Sequence, residues 1–251
     1  MLRLITSISL VSLLATINCF AAEITLTTPD DFSLKADYYQ GVNTEKSSNN
    51  RAVLMLHQCN YNRSMYDTMG QQFSEQGIHA LSLDFRGFGE SINAEFNVEK
   101  LSKLPQEERR KQWQIMSKNW PSDVKIAYDY LRSKITKEGS IGVIGASCGG
   151  SQAITLAEKE AVAAISFFSS GQRDENIARY KSSLAKKPTL IIAAEGDGRT
   201  FTSAQQLFTT AKHPKTKMIS FKGSDHGYPL FDVDKHLNNT IVNWFDTQLV
   251  K

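Results

Sequence analysis

The sequence predicts an α/β fold: one mostly parallel central sheet with helices on both faces. Three observations lead there. Short continuous apolar runs such as "AVLML" at 52–56 recur along the chain, the kind that parallel strands show when both faces are buried. Amphipathic stretches separate them, long enough to cross back over a sheet as helices. The chain has 251 residues, 41% hydrophobic and 22% charged, enough for one large core.

The elements follow in order. "EITLTTPDDFSLKADYY" alternates with period two around a Pro-Asp-Asp turn and predicts an antiparallel hairpin. After the polar loop "GVNTEKSSNN" comes the strand "AVLML", then a helix over "RSMYDTMGQQFSEQG" ending at Gly77, and the strand "IHALSLD". "WPSDVKIAYDYLRSK" predicts a helix with Pro121 in its first turn, where the missing N–H costs nothing. Then "SIGVIGA", "AVAAISFF", "PTLIIAAEG" and "KMISFKG" read as strands, and "CGGSQAITLAEK", "FTSAQQLFTTAK" and "DKHLNNTIVNWFDTQL" as helices. Together with the hairpin this makes about eight strands by the same patterns.

Residues 92–119, "INAEFNVEKLSKLPQEERRKQWQIMSKN", break the alternation. They are polar, interrupted by Pro105, and predict a small helical insertion. Lying after a parallel strand, the segment is placed either as a lid or wall of the ligand crevice or as a surface excursion.

Residues 1–22 form a different kind of sequence. Arg3 is their only charge, "LITSISLVSLLATI" is apolar, and "NCFAAE" closes the run with small residues. This is the layout of a cleaved secretory signal, with the cut after Ala21 or Ala22. The run is short for a membrane anchor, and Asn18 stands where acylation of Cys19 would want a small residue. The expectation is a single domain over 23–251, periplasmic or secreted, with no stable membrane insertion after cleavage. A net charge of +3 without blocks of like charge selects no nucleic-acid partner. Oligomeric state is not legible. Of three cysteines, Cys59 and Cys148 remain after the signal, in a compartment where disulfides persist. No metal-ligand spacing occurs, and no cofactor is expected.

The chemistry concentrates in "GASCGG", Gly145 to Gly150. A buried strand runs into it and a helix leaves it, which gives the G-x-S-x-G spacing around Ser147 its meaning. A serine in that sharp turn has a strained backbone and crowded neighbours. Glycines relieve the crowding, and the hydroxyl stands at the amino end of a helix. Serine also needs a base and the base an orienting carboxylate, in the chain order Ser, Asp or Glu, His. "TLIIAAEGDGRT" ends a strand in an acidic loop, with Asp197 50 residues after Ser147, and "MISFKGSDHGYPLF" ends the next with His226 a further 29 along.

Five segments taken together resemble the α/β-hydrolase fold, specifically the dienelactone-hydrolase-like branch. They are "AVLMLHQCNYNRSMY", "HALSLDFRGFGES", "GVIGASCGGSQA", "IIAAEGD" and "GSDHGY", in order over about residues 50–250. The resemblance implies Ser147 as nucleophile, Asp197 as acid and His226 as base. It implies oxyanion donors from the backbone N–H of Cys148 and from the Gln58–Cys59 turn. It also implies a structural His57 that holds this turn.

The rivals are local. Glu195 competes with Asp197 but sits at the strand end; Asp225 is too near His226 to orient its ring. His79 reads as a satisfied strand residue, and His213 and His236 follow the wrong elements. Cys148 as nucleophile in a shifted frame would leave Gly145 and Gly149 without purpose. Two departures stand out. Gln58 replaces the family's usual glycine, which demands a backbone conformation open to any residue or sends its amide toward the substrate. Serine also replaces the cysteine of dienelactone hydrolases in the strict sense, which favours a general carboxylesterase.

If the family geometry holds, Cys59 and Cys148 either form a disulfide across the oxyanion hole or remain two nearby thiols. The expected reaction is hydrolysis of a small-molecule carboxylic ester or lactone through an acyl-enzyme. A peptidase or amidase with the same triad, and a non-catalytic binding protein on this fold, are the alternatives.

Overall fold

A computed structural model of the protein describes residues 21–42 and 50–250. The expected signal lies outside the described residues up to position 20. The hairpin opens the fold: β1 (Ala22–Thr27) pairs antiparallel with β2 (Ser33–Tyr39). Asp31 turns the corner with φ 58°, a left-handed conformation that aspartate tolerates.

Then come β3 (Arg51–Leu56), a 3₁₀ turn at Arg63–Tyr66 leading into α1 (Asp67–Glu75), and β4 (His79–Leu83). The segment read as an insertion holds α2 (Val98–Ser102) and α3 (Gln106–Ser117). Next are α4 (Trp120–Arg132), β5 (Ser140–Ala146), α5 (Cys148–Lys159) and β6 (Val162–Phe168). The chain continues through α6 (Asp174–Arg179), a π-helical turn at Tyr180–Leu184, β7 (Thr189–Ala194), α7 (Gly198–Thr210) and β8 (Lys217–Phe221). It ends with α8 (Leu230–Val233) and α9 (Leu237–Leu249). Helix α6, its π-helical turn and α8 lie outside the alternation read from the sequence.

The eight strands form one sheet in the order β1-β2-β4-β3-β5-β6-β7-β8. β2 runs antiparallel to β4, and every pair from β4 to β8 is parallel. This is the α/β-hydrolase architecture.

Alternate residues of each strand feed two cores, one per face. Leu54, Leu56, Ile141 and Val143 pack against α4, α5 and α7, while Val53, Met55, Ile144 and Ala146 pack against α1 and α9. Apart from Arg51 at the start of β3, the central strands β3, β4 and β5 are buried, which explains their unbroken apolar runs. No helix among the described residues is long and apolar enough to cross a membrane. All parallel strands end on one side, so the loops after β3, β4, β5, β6, β7 and β8 share one rim.

Candidate active site

Ser147 sits between β5 and α5 at φ 49° and ψ −114°. A non-glycine residue held there costs about 1–3 kcal/mol and persists only when its surroundings enforce it. The enforcement is visible. The Ser147 N–H donates to the Phe168 carbonyl (2.9 Å), and its carbonyl accepts from Ser170 Oγ (2.5 Å), which Gln172 Nε2 holds in turn (2.6 Å). A Cβ on Gly145 would stand 2.4 Å from the Gly149 carbonyl oxygen, and one on Gly149 would stand 2.5 Å from that of Leu56. Both contacts are with backbone, which cannot yield as a side chain would. The two glycines therefore let α5 close onto the ends of β5 and β3.

The loops that carry Asp197 and His226 are stitched together at the ends of β7 and β8. Glu195 N–H donates to the Phe221 carbonyl (2.8 Å) and Gly196 N–H to that of Gly223 (2.7 Å). Asp197 stands at the N-cap of α7, yet its side chain makes no cap hydrogen bond. Its Oδ2 instead lies 2.6 Å from His226 Nδ1, and His226 Nε2 lies 2.9 Å from Ser147 Oγ. A carboxylate only accepts, so Nδ1 carries the ring proton and Nε2 presents its lone pair to the serine hydroxyl. The structure thus brings Ser147, His226 and Asp197 into one hydrogen-bonded line. The rivals lie elsewhere. Glu195 faces Lys222 Nζ and Ser220 at the surface, and His79 is buried with its Nδ1 2.6 Å from the Tyr38 hydroxyl.

The turn after β3 faces the amino end of α5. His57 is fully buried, donates from Nδ1 to the Gln58 carbonyl (2.8 Å) and accepts at Nε2 from the Phe85 N–H (3.0 Å). Both ring nitrogens are thus used in holding the turn. Burial pulls its pKa down to about 4, so it is neutral at pH 7.

Gln58 departs from expectation in both of its roles. Its backbone N–H points to Met65 Sδ (3.5 Å) and is not free for an oxyanion, because the turn closed by Tyr61 N–H on the Gln58 carbonyl (3.0 Å) directs it inward. Its amide does not reach toward the substrate either: Oε1 accepts from Tyr228 N–H (2.8 Å) and Nε2 donates to Asn60 Oδ1 (2.6 Å). Gln58 avoids positive φ, and its side chain ties the turn to the histidine loop, where Gly227 at φ 69° leaves room for it.

Two donors remain. Cys148 opens α5 and so has no preceding turn to donate to. The Cys59 N–H meets no acceptor among the described residues. The two cysteines are joined by a disulfide, with Cα atoms 5.9 Å apart.

The profile of the dienelactone hydrolase family matches residues 40–238. The chain belongs to that family. Among solved structures it is similar to the Pyrococcus furiosus esterase Pf2001, with TM-score 0.67 and 16% identity over 92% of this chain and 94% of the other. A dienelactone hydrolase from Anabaena variabilis gives TM-score 0.65 and 16% identity over 92% and 98%. A cold-adapted esterase from an Arctic intertidal metagenomic library gives 0.66 and 15% over 92% and 93%. At such identities the likeness carries the fold. Comparison with curated protein sequences returns no match.

Around this family core the insertion comes close to the rim. A cleft of about 730 Å³ has Cys59, Asn60, Tyr61 and Phe88 in its wall, together with Asn97, Val98, Glu99 and Ser102 at α2. A second hollow of about 590 Å³ lies between Arg109, Arg110 and Trp113 of α3 and Arg173 of the β6–α6 loop. Trp113 packs edge-on to Phe88 (6.0 Å), and Phe88 lies against the His57 ring (5.2 Å). An aromatic series thus joins α3 to the residue that holds the turn after β3. Across the site, Tyr61 stacks on Tyr228 at 4.6 Å.

Proposed function

We propose that the protein is a serine hydrolase that cleaves carboxylic ester or lactone bonds of small substrates through an acyl-enzyme. The observation that carries this reading is the unbroken line Asp197 Oδ2, His226 Nδ1, His226 Nε2, Ser147 Oγ, with steps of 2.6 and 2.9 Å. His226 takes the hydroxyl proton as Ser147 Oγ attacks the acyl carbon, and Asp197 stabilises the imidazolium that forms. The N–H groups of Cys148 and Cys59, with the amino end of α5, receive the tetrahedral oxyanion. His226 then protonates the departing alkoxide. Water, deprotonated by the same ring, releases the acid. Helix α2, which shares a cleft with Cys59 and Asn60, forms the wall that selects the acyl or alcohol group. We further propose that the chain is exported, since the leader-like start and a disulfide suit the same oxidising compartment.

Hydrolysis of p-nitrophenyl esters, together with mapping of a fluorophosphonate adduct, tests the reading. Labelling at Ser147 and a loss of at least ~10³-fold in kcat for Ser147→Ala are expected. Full activity in that variant would rule out the mechanism.

A further inference from the structure

The proposed mechanism assigns work to the backbones of Cys59 and Cys148 but none to the bond between their side chains. We infer that this disulfide positions the oxyanion hole, and that its reduction by a dithiol switches the hydrolase down. The inference rests on the proposed function and adds regulation to the same site.

The two donors come from parts of the chain 89 residues apart, on different strands. Cys148 is held firmly: it follows the Ser147 turn and begins a 12-residue helix packed on both β5 and β6. Cys59 is held less firmly. It sits in the turn between Gln58 and Tyr61, where its neighbours are tied by the Tyr61 N–H to the Gln58 carbonyl and by Gln58 Nε2 to Asn60 Oδ1. No hydrogen bond of its own backbone N–H fixes it among the described residues. Its side chain packs against the core, as that of Cys148 does, and the covalent link to Cys148 is the contact that ties the one donor directly to the other. An oxyanion site works through donors placed in advance at about 2.7–3.1 Å from the developing charge, so freedom at one donor is lost catalysis.

The bond is within reach of a reductant. Both cysteines are only half-buried, and Cys59 forms part of the wall of the 730 Å³ cleft. The exchange balances as ordinary dithiol chemistry. A thiolate of the reductant attacks one sulfur and releases the other cysteine as a thiolate. The second thiolate of the reductant then displaces the mixed disulfide. Two electrons and two protons pass to the protein, and the reductant leaves as its own disulfide.

The test compares the oxidised protein, the dithiothreitol-reduced protein and the double variant Cys59→Ala/Cys148→Ala. Reduction is verified by mass-spectrometric mapping of alkylated Cys59 and Cys148, and rates are expressed per native molecule from near-UV circular dichroism. The expected result in both altered forms is a fall in kcat of roughly 10- to 100-fold with KM nearly unchanged. Affinity for a trifluoromethyl ketone, which forms a tetrahedral oxyanion on Ser147, should fall in parallel. Reoxidation should restore the first of the two forms. A kcat per native molecule within about two-fold of the oxidised protein overturns the inference, whether or not the fraction folded has dropped, because the bond would then act on stability alone. The Ser147→Ala control separates the two readings. If that variant is inactive while reduction has no effect, the clamp alone fails; if it is active, the proposed mechanism falls and takes the clamp with it.

Discussion

At Ser147 a single backbone angle and two absent side chains carry the geometry of the site. The flanking glycines were legible as a spacing, and the reason for them is the close approach of α5 at Gly149 to Gly145 of β5 and to the Leu56 carbonyl of β3. A methyl group at Gly145 would have to push backbone aside at 2.4 Å. Gly145→Ala is expected to cost about 1–3 kcal/mol and to slow fluorophosphonate labelling of Ser147, read by urea titration and labelling kinetics. Unchanged labelling would show that the elbow tolerates the displacement. Gln58 teaches the opposite lesson. Its identity was visible, but the direction of its amide depends on Tyr228, 170 residues away, which no local pattern reports.

Among the elements, the loop after β4 ties the hairpin turn to α4 through a single buried arginine. Arg86 is 1% exposed and makes paired contacts to Asp123 on α4 (2.9 and 3.0 Å) and to Asp30 in the hairpin turn. Its carbonyl accepts from Trp120 Nε1 (3.1 Å), and its guanidinium lies 4.3 Å over the Phe32 ring. Asp123 is fully buried, and burial pushes its carboxyl above the usual range. Arg86→Ala would leave that carboxylate without a counter-charge, at an expected cost of about 3–5 kcal/mol. Adding Asp123→Asn should return about 1–2 kcal/mol of it. Denaturant unfolding of both variants checks the coupling, and strictly additive losses would refute it.

Apart from the single turn α8, element boundaries elsewhere followed the sequence closely, because buried strands and amphipathic helices carry their pattern in their own residues. The segment 171–188 did not. In "GQRDENIARYKSSLAKKP" only Ile177, Tyr180 and Leu184 offer an apolar face, and Arg173 gives α6 no side-chain cap. Its helical turns are held by tertiary contacts, with Tyr180 fully buried against Phe167 and bonded to Thr189 Oγ1 (2.8 Å).

For the molecule as a whole, two histidines fixed inside the fold set a limit on acid stability. Burial lowers the pKa of His57 to about 4 and also lowers that of His79, which Lys134 depresses further. Above pH ~6.5 both are neutral in the folded and unfolded chain and contribute no pH dependence. Below it the unfolded chain takes up protons that the folded chain refuses, so stability is lost as pH falls toward 4. His57 alone accounts for a slope of about 1.4 kcal/mol per pH unit and about 3 kcal/mol over the window. The midpoint of thermal unfolding should fall between pH 7 and 5, and His57→Gln should flatten the slope by about one proton. An unchanged slope in that variant would place the uptake elsewhere.

The sequence by itself determined the alternation of strands and helices, the family, and the order Ser147, Asp197, His226, since each is written in local periodicity, glycine spacing or chain order. Only the tertiary structure decided which carboxylate meets His226, that the Gln58 N–H turns toward Met65 Sδ, and that Cys59 lies 5.9 Å from Cys148 at the Cα atoms. Those are matters of a few ångströms between residues tens of positions apart. They are set by how the loops pack at the rim of the sheet, and no stretch of sequence contains both partners.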